Sequence, residues 1–313
     1  MTTLPRITLL AALSLIMLSV SPAQGKEPDL LFTDHQRAQI LLNHDGYIIN
    51  WMFFSGQCPG SRRQLTTHVK NLHDRIEAKQ LPVVLVLVTP DNNPDELQNL
   101  AKSLDLEHAL FAQDRNNALN ISLRNVWQTR AVLKGKQLRD EISADNVDSL
   151  AEKHQARPRF KVDGLDDPRA RELWWRVERA TPGALELLAH GSQRRNPIQE
   201  QAQALLPVVE PWYRQREEAL VTAEATIDTF EGLEQLISEA RPLGLTRAEA
   251  RYRELSRDRS LRDEIAARTA YQRIETEFVN AAAQQKQRQA PAAFAQLAER
   301  FPDTKYGRLA AQR

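Results

Sequence analysis

Residues 53–65 read FFSGQCPGSRRQL and hold the single cysteine of a 313-residue chain. Just before and into them, Tyr47 to Phe54 (YIINWMFF) make an almost continuous apolar run rich in aromatic and β-branched side chains, the pattern of a strand buried on both faces. After them, Leu65, Val69, Leu72 and Ile76 recur at i, i+4, i+7 and i+11, one stripe of a helix. Cys58 is therefore expected at a strand-to-helix turn.

Working outward, LPVVLVLVTP (81–90) reads as a second fully apolar strand, stopped by Pro90. In DNNPDELQNLAKSL (91–104), Asn93 is placed to cap and Pro94 to take the first helical position. Asp95 and Glu96 meet the positive helix end, while Leu97, Leu100, Ala101 and Leu104 make the inner stripe. This strand-helix-strand-helix series predicts a parallel-sheet core. A short strand around Ala109 to Ala112, a helix-like segment from Asp114 to Leu123, a hairpin turning at Lys134-Gly135-Lys136 and a last helix in ADNVDSLAEKH complete a domain expected over residues 26–155.

Residues 156–171 are polar, hold Pro158, Gly164 and Pro168 and lack periodicity, so they read as a linker. From 172 to 313 the composition shifts to Ala, Glu, Gln, Arg and Leu, and an all-α domain is expected. There Thr246 and Glu249 fit a capping box, Leu261, Ile265, Ile274 and Phe278 share an apolar side, and prolines at 207, 211, 242, 291 and 302 punctuate the helices.

The composition is that of a globular chain, 42% hydrophobic and 27% charged. With 42 basic and 41 acidic side chains there is no bulk field to draw in nucleic acid or an anionic membrane surface. Arg6, an apolar stretch from Ile7 to Val20, then Ala23 and Gly25 read as a signal peptide over residues 1–25, so the mature protein is expected to be exported, to a periplasm-like compartment. The stretch is shorter than the roughly 20 residues that span a bilayer. In an oxidising compartment cysteines usually pair. Here an intramolecular disulfide is impossible, and Cys58 is either a small buried hydrophobe or a free thiol open to chemistry. A thiol at the first turn of a helix meets unpaired amides and the positive end of the dipole, and Arg62 and Arg63 add charge of the same sign; each favours thiolate.

The succession of a buried aromatic strand, then Cys58, Pro59, Gly60, Ser61 and Arg62 at the opening of a helix, resembles the redox motif of the thioredoxin superfamily, and residues 47–155 are similar to that fold in order and spacing. Where the family has Cys-x-x-Cys, this chain has CPGS. The resemblance implies an α/β thioredoxin-like N-terminal domain, with Cys58 as nucleophile, Ser61 as hydrogen-bond donor to the thiolate, Arg62 as part of the positive field, and Ser55, Pro59 and Gly60 beside them. The family's cis-proline, which faces the cysteine, has its matching place near Val126-Trp127, where no proline stands; Trp127 there would cover the thiol.

The implied activity is thiol-disulfide exchange with envelope proteins through mixed disulfides, without a cofactor or metal. A second reading is a redox-silent scaffold whose helical half carries the partner surface. A third is a one-cysteine peroxidase like the peroxiredoxin relatives, whose pattern Ser55 meets and Trp51 breaks. PAAFAQLAERFPDTKYGRLAAQR (291–313) resembles the end of a tetratricopeptide-type helical hairpin. His68 and His73, five apart and so about 140° around a helix, make no metal pair and read as surface histidines. Trp174-Trp175 are expected to anchor the helical core.

Overall fold

A computed structural model describes residues 30–55, 58–90, 94–114, 129–162, 165–193, 198–279 and 288–313. The expected signal peptide, the helix-like stretch after Asp114 and the Val126-Trp127 pair lie outside the described residues. The chain divides into two compact units, the first ending at Val209 and the second starting at Glu210.

The first unit is built on a six-stranded mixed sheet. Its strands are β1 (Leu30–Phe32), β2 (Ile48–Phe53), β3 (Val83–Thr89), β4 (Leu110–Asp114), β5 (Thr129–Leu133) and β6 (Lys136–Gln137), in the order β1-β4-β3-β2-β5-β6. The central strands β2, β3 and β4 run parallel, while β1 pairs antiparallel with β4 and β5 antiparallel with β2. Parallel neighbours need crossover helices. Between β2 and β3 these are α2 (Pro59–Gln64), a π-helical turn (Leu65–Val69) and α3 (Lys70–Lys79); between β3 and β4 it is α4 (Pro94–Ser103). The β5-β6 hairpin turns through Lys134 and Gly135 with φ of 50° and 72°, the left-handed pair that a two-residue hairpin requires.

Every residue of β2 and β3 is buried, which explains why both read as unbroken apolar runs. One face carries Ile49, Trp51 and Phe53 of β2 with Val84, Val86 and Val88 of β3, closed by Ala38, Leu41 and Leu42 of α1 (His35–Leu42). Alternation places Ile48, Asn50 and Met52 on the other face. The stripe of Leu65, Val69, Leu72 and Ile76 is buried throughout. His68 is exposed, but His73 is buried, which corrects the reading of both as surface histidines. It follows Leu72 on the inner side of α3, where a π-helical turn upstream has shifted the helical phase.

After α5 (Val147–Lys153) comes the stretch expected to be a linker, and it lies inside the first unit. Arg159 and Phe160 are buried there, and both of their backbone amides donate to the carboxylate of Glu178, at 2.6 and 3.0 Å. Glu178 ends α6 (Pro168–Glu178), which is followed by α7 (Ala184–Gly191). Trp174 and Trp175 of α6 are both buried, in this unit rather than in a separate helical domain; the Trp174 indole donates to the Phe160 carbonyl at 3.1 Å. Among its described charged side chains Arg159 alone is turned inward; Arg157, Lys161, Asp166, Asp167, Arg169 and Arg171 are exposed. Pro207 and Pro211 do not end helices as their spacing suggested: both lie within α8 (Gln199–Val221), and the division between units falls between them.

The second unit is helical. It holds the rest of α8, then α9 (Ile227–Glu239), α10 (Thr246–Leu255), α11 (Arg262–Ile274), α12 (Ala290–Arg300) and α13 (Lys305–Ala310). Tyr271 and Ile274 of α11 cluster with Phe294 and Leu297 of α12 and Ala310 of α13. Thr226 and Thr304 cap α9 and α13 locally, but two helix starts are also met by carboxylates distant in sequence. The Ala248 amide donates to Glu217 at 2.9 Å, where a Thr246–Glu249 capping box was expected, and the Lys305 amide donates to Glu264 at 3.0 Å. The Lys305 ammonium donates to Asp228 and Glu231, both at 2.8 Å, tying α13 to α9.

Two stability outcomes follow from the first unit. Glu178→Ala leaves several buried donors without an acceptor and is expected to cost about 3–5 kcal/mol in chemical denaturation. Asn50 is fully buried in mid-strand, and neither side-chain amide atom has a hydrogen-bond partner. Asn50→Val is therefore expected to stabilise by about 1–3 kcal/mol, measured as a higher denaturation midpoint at unchanged slope.

Candidate functional site

Strand β2 is where the sheet's connectivity reverses. The chain leaves its carboxyl end for β3 and β4 on one side and returns through β5 on the other. In open α/β sheets the crevice outside the strand ends at such a point is where ligands are bound. Cys58 stands there, five residues beyond the end of β2.

The turn is fixed by a few short-range bonds. The Phe54 amide donates to the Val88 carbonyl at 2.8 Å, holding the end of β2 against β3. The Cys58 amide donates to the Ser55 carbonyl at 3.2 Å, and the Arg62 amide donates to the Cys58 carbonyl at 3.1 Å, starting the helix. Cys58 is the N-cap of α2 in extended conformation (φ −83°, ψ 118°), with Pro59 in the first helical position, where its missing N–H costs nothing. Ser61 is fully buried, and its Oγ accepts from the Ser55 amide at 3.2 Å, closing the loop from inside.

The thiol is half-buried and free. Its pKa lies below the ordinary thiol value, chiefly through the backbone amides of Ser61 and then Gly60; burial opposes them, and the Ser61 hydroxyl adds a smaller lowering. These amides are the unpaired donors of a helix start. The structure thus brings Cys58, Gly60 and Ser61 together, with Ser55 bonded to Ser61 behind them. Pro59 is exposed, and so are Arg62 and Arg63 on the outside of the first turn. Val126 and Trp127 lie outside the described residues.

The inward role of Ser61 toward Ser55 had no signal in the sequence, since a serine three residues into a helix has many uses. Also unforeseen was a buried cluster toward the opposite end of the sheet. There the Glu77 carboxylate of α3 accepts from the His108 imidazole at 2.6 Å and the Trp175 indole at 2.5 Å, and Arg179 lies over the Trp175 ring at 4.2 Å. Among the described residues no group of three or more His, Cys, Asp and Glu side chains is placed to hold a metal ion, and no helix is long and apolar enough to cross a membrane.

No protein-family model, curated protein or solved structure matches the chain.

Because the thiolate is favoured by amides and a hydroxyl, alkylation of Cys58 in the folded protein should reach half its maximal rate below the ordinary thiol pKa of about 8.5. Ser61→Ala removes the hydroxyl contribution and the Ser55 tether, so its midpoint should move up toward that value. The rate-against-pH profile of iodoacetamide labelling measures both.

Proposed function

We propose that this chain is an exported, thioredoxin-fold protein with a degenerate CPGS site that forms mixed disulfides with envelope proteins. The observation that carries the reading is the N-cap position of a half-buried thiol whose pKa is lowered by the Ser61 and Gly60 amides. The parallel β2-α-β3 arrangement with the cysteine at the sheet's switch point supports the fold part of the reading.

The chemistry is one half of thiol-disulfide exchange. The Cys58 thiolate attacks one sulfur of a partner disulfide, the Cys58–partner S–S bond forms, and the second partner sulfur leaves as thiolate. The Cys58 sulfur is oxidised to the disulfide level and the leaving sulfur is reduced to thiolate, so the number of disulfides is unchanged and no external oxidant is needed. Ser61 donates a hydrogen bond to the thiolate before attack, and the charge of Arg62 favours an anionic approach. With one cysteine in the chain, release needs a second attack by an external thiol or by the thiolate just freed on the partner. The protein is thus suited to slow capture or isomerisation rather than to electron transport. The helical second unit, whose C-terminal hairpin resembles a tetratricopeptide repeat, is the part assigned to holding a partner.

The test is a comparison of wild type with Cys58→Ser, each expressed with its leader and captured from envelope extract after acid quenching of thiols. Discrete adducts that disappear on reduction and are absent in Cys58→Ser are expected. If both proteins retain the same non-covalent partners and neither gives adducts, the protein is a redox-silent scaffold. Consumption of peroxide by the wild type with a thiol reductant, lost in Cys58→Ser, makes it a one-cysteine peroxidase.

A further inference from the structure

The buried Glu77 carboxylate joins three separate parts of the first unit: α3, which carries it, the turn before β4 through His108, and α6 through Trp175. Its Oε2 takes both bonds. Its Oε1 has no hydrogen-bond partner, and neither has Nε2 of His73, one turn earlier on α3; the two face each other at 3.9 Å. Nδ1 of His73 meets Asp74 at 3.5 Å, and Asp74 is itself paired with Lys70 at 2.5 Å on the exposed side. From the other elements, the groups that bear on the cluster are His108, Arg179 beyond the end of α6, and Arg37 of α1, whose guanidinium donates to the carbonyls of Arg179 and Glu107 at 3.0 and 3.2 Å.

From this geometry we infer that the His73–Glu77–His108–Trp175 cluster is an acid-sensitive clasp, which holds α6 on α3 while His73 is neutral and loosens when His73 takes up a proton. A further buried cation would be added to a unit where the buried guanidinium groups of Arg37 and Arg179 already stand close together. The new Nε2–H reaches an acceptor only if Glu77 Oε1 moves about 1 Å toward it, to a hydrogen-bond distance of about 2.9 Å. The carboxylate is rigid, so that displacement pulls Oε2 along and lengthens the bonds that fix His108 and Trp175.

The direction of the pH effect is set by which state binds protons. Burial, only partly offset by Glu77 and Asp74, holds His73 below its ordinary value in the closed state. An opened state with a solvated imidazole titrates at about 6.5. As pH falls through that value the opened state binds more protons, so acid favours opening. Glu77 does not compete in this range. Burial pushes its carboxyl up, but the His108 hydrogen bond and the Arg179 charge outweigh this and bring it down to about 2.

Hydrogen exchange of the full chain, corrected for intrinsic rates, tests the clasp between about pH 7.5 and 5.5. Loss of protection is expected in 70–79 and 168–178 on acidification, with 83–89 of the sheet unchanged. His73→Gln should abolish that loss. His44→Gln, which removes a half-buried imidazole outside the cluster, near Arg157, should retain it. The same loss in His73→Gln, or none in wild type, overturns the proposal. If His73→Gln does not fold, the wild-type protein decides: the His73 ring, followed by NMR, must titrate with the midpoint of the α6 exchange, and a different midpoint overturns the clasp.

Discussion

The first unit depends on where one buried carboxylate finds its donors. Glu178 is fully removed from water, a placement that costs several kcal/mol unless its charge and lone pairs are met. They are met by the backbone amides of Arg159 and Phe160 and by the hydroxyl of Tyr47, all buried. Its main-chain carbonyl accepts from Arg159 Nε at 3.0 Å and from the same Tyr47 hydroxyl at 3.1 Å. Burial and the Glu178 charge both raise the Tyr47 pKa, so the phenol is a donor at neutral pH. One residue later Arg179 donates to the carbonyls of Leu81 and Val83 at the start of β3, at 3.3 and 2.6 Å. Through these bonds the chain after α5 is made part of the α/β unit.

The same bonds explain which features were legible in the sequence. The strands β2 and β3, the stripe of α3 and the hairpin at Lys134-Gly135 are set by neighbours in the chain, so periodicity and turn chemistry display them. The extent of the first unit is set by pairs such as Tyr47 with Glu178, 131 residues apart. Read locally, the arginines and carboxylates of 156–179 look like a solvated connector, and nothing in their order reveals that Arg159, Glu178 and Arg179 are buried. The misreading of the start of α10 has the same origin: Glu217, elsewhere in the chain, does what the local pattern assigns to a neighbouring side chain. The thiol site was legible in outline, because a helix start acts on its own cap residue through local peptide groups.

Tyr47, bonded to Glu178, precedes the first residue of β2 and Cys58 follows its last, so the length of a six-residue strand, roughly 20 Å, separates those two residues. Among the described residues, the influences on the Cys58 sulfur come from within three residues of it, and the main groups that bear on Glu77 and His73 include none from the turn at Cys58. Proton uptake in the cluster is thus electrically remote from the thiol. Any coupling between them has to be mechanical, along α2 and α3, which run continuously from Pro59 to Lys79 through the π-helical turn.

Ser61 gives the CPGS sequence a meaning beyond the lack of a second cysteine. Its hydroxyl oxygen accepts from the Ser55 amide, and the hydroxyl contributes to lowering the Cys58 pKa, so one small side chain both ties the loop from β2 to the helix and favours the thiolate. A thiol at this position is a weaker donor and a weaker acceptor, and its longer bonds to sulfur would crowd a site that is already fully buried. The serine is therefore a working part of the turn. Under the function proposed above, a thiolate held in this way, with no second cysteine to displace an adduct, would favour persistence of a bound partner over rapid turnover.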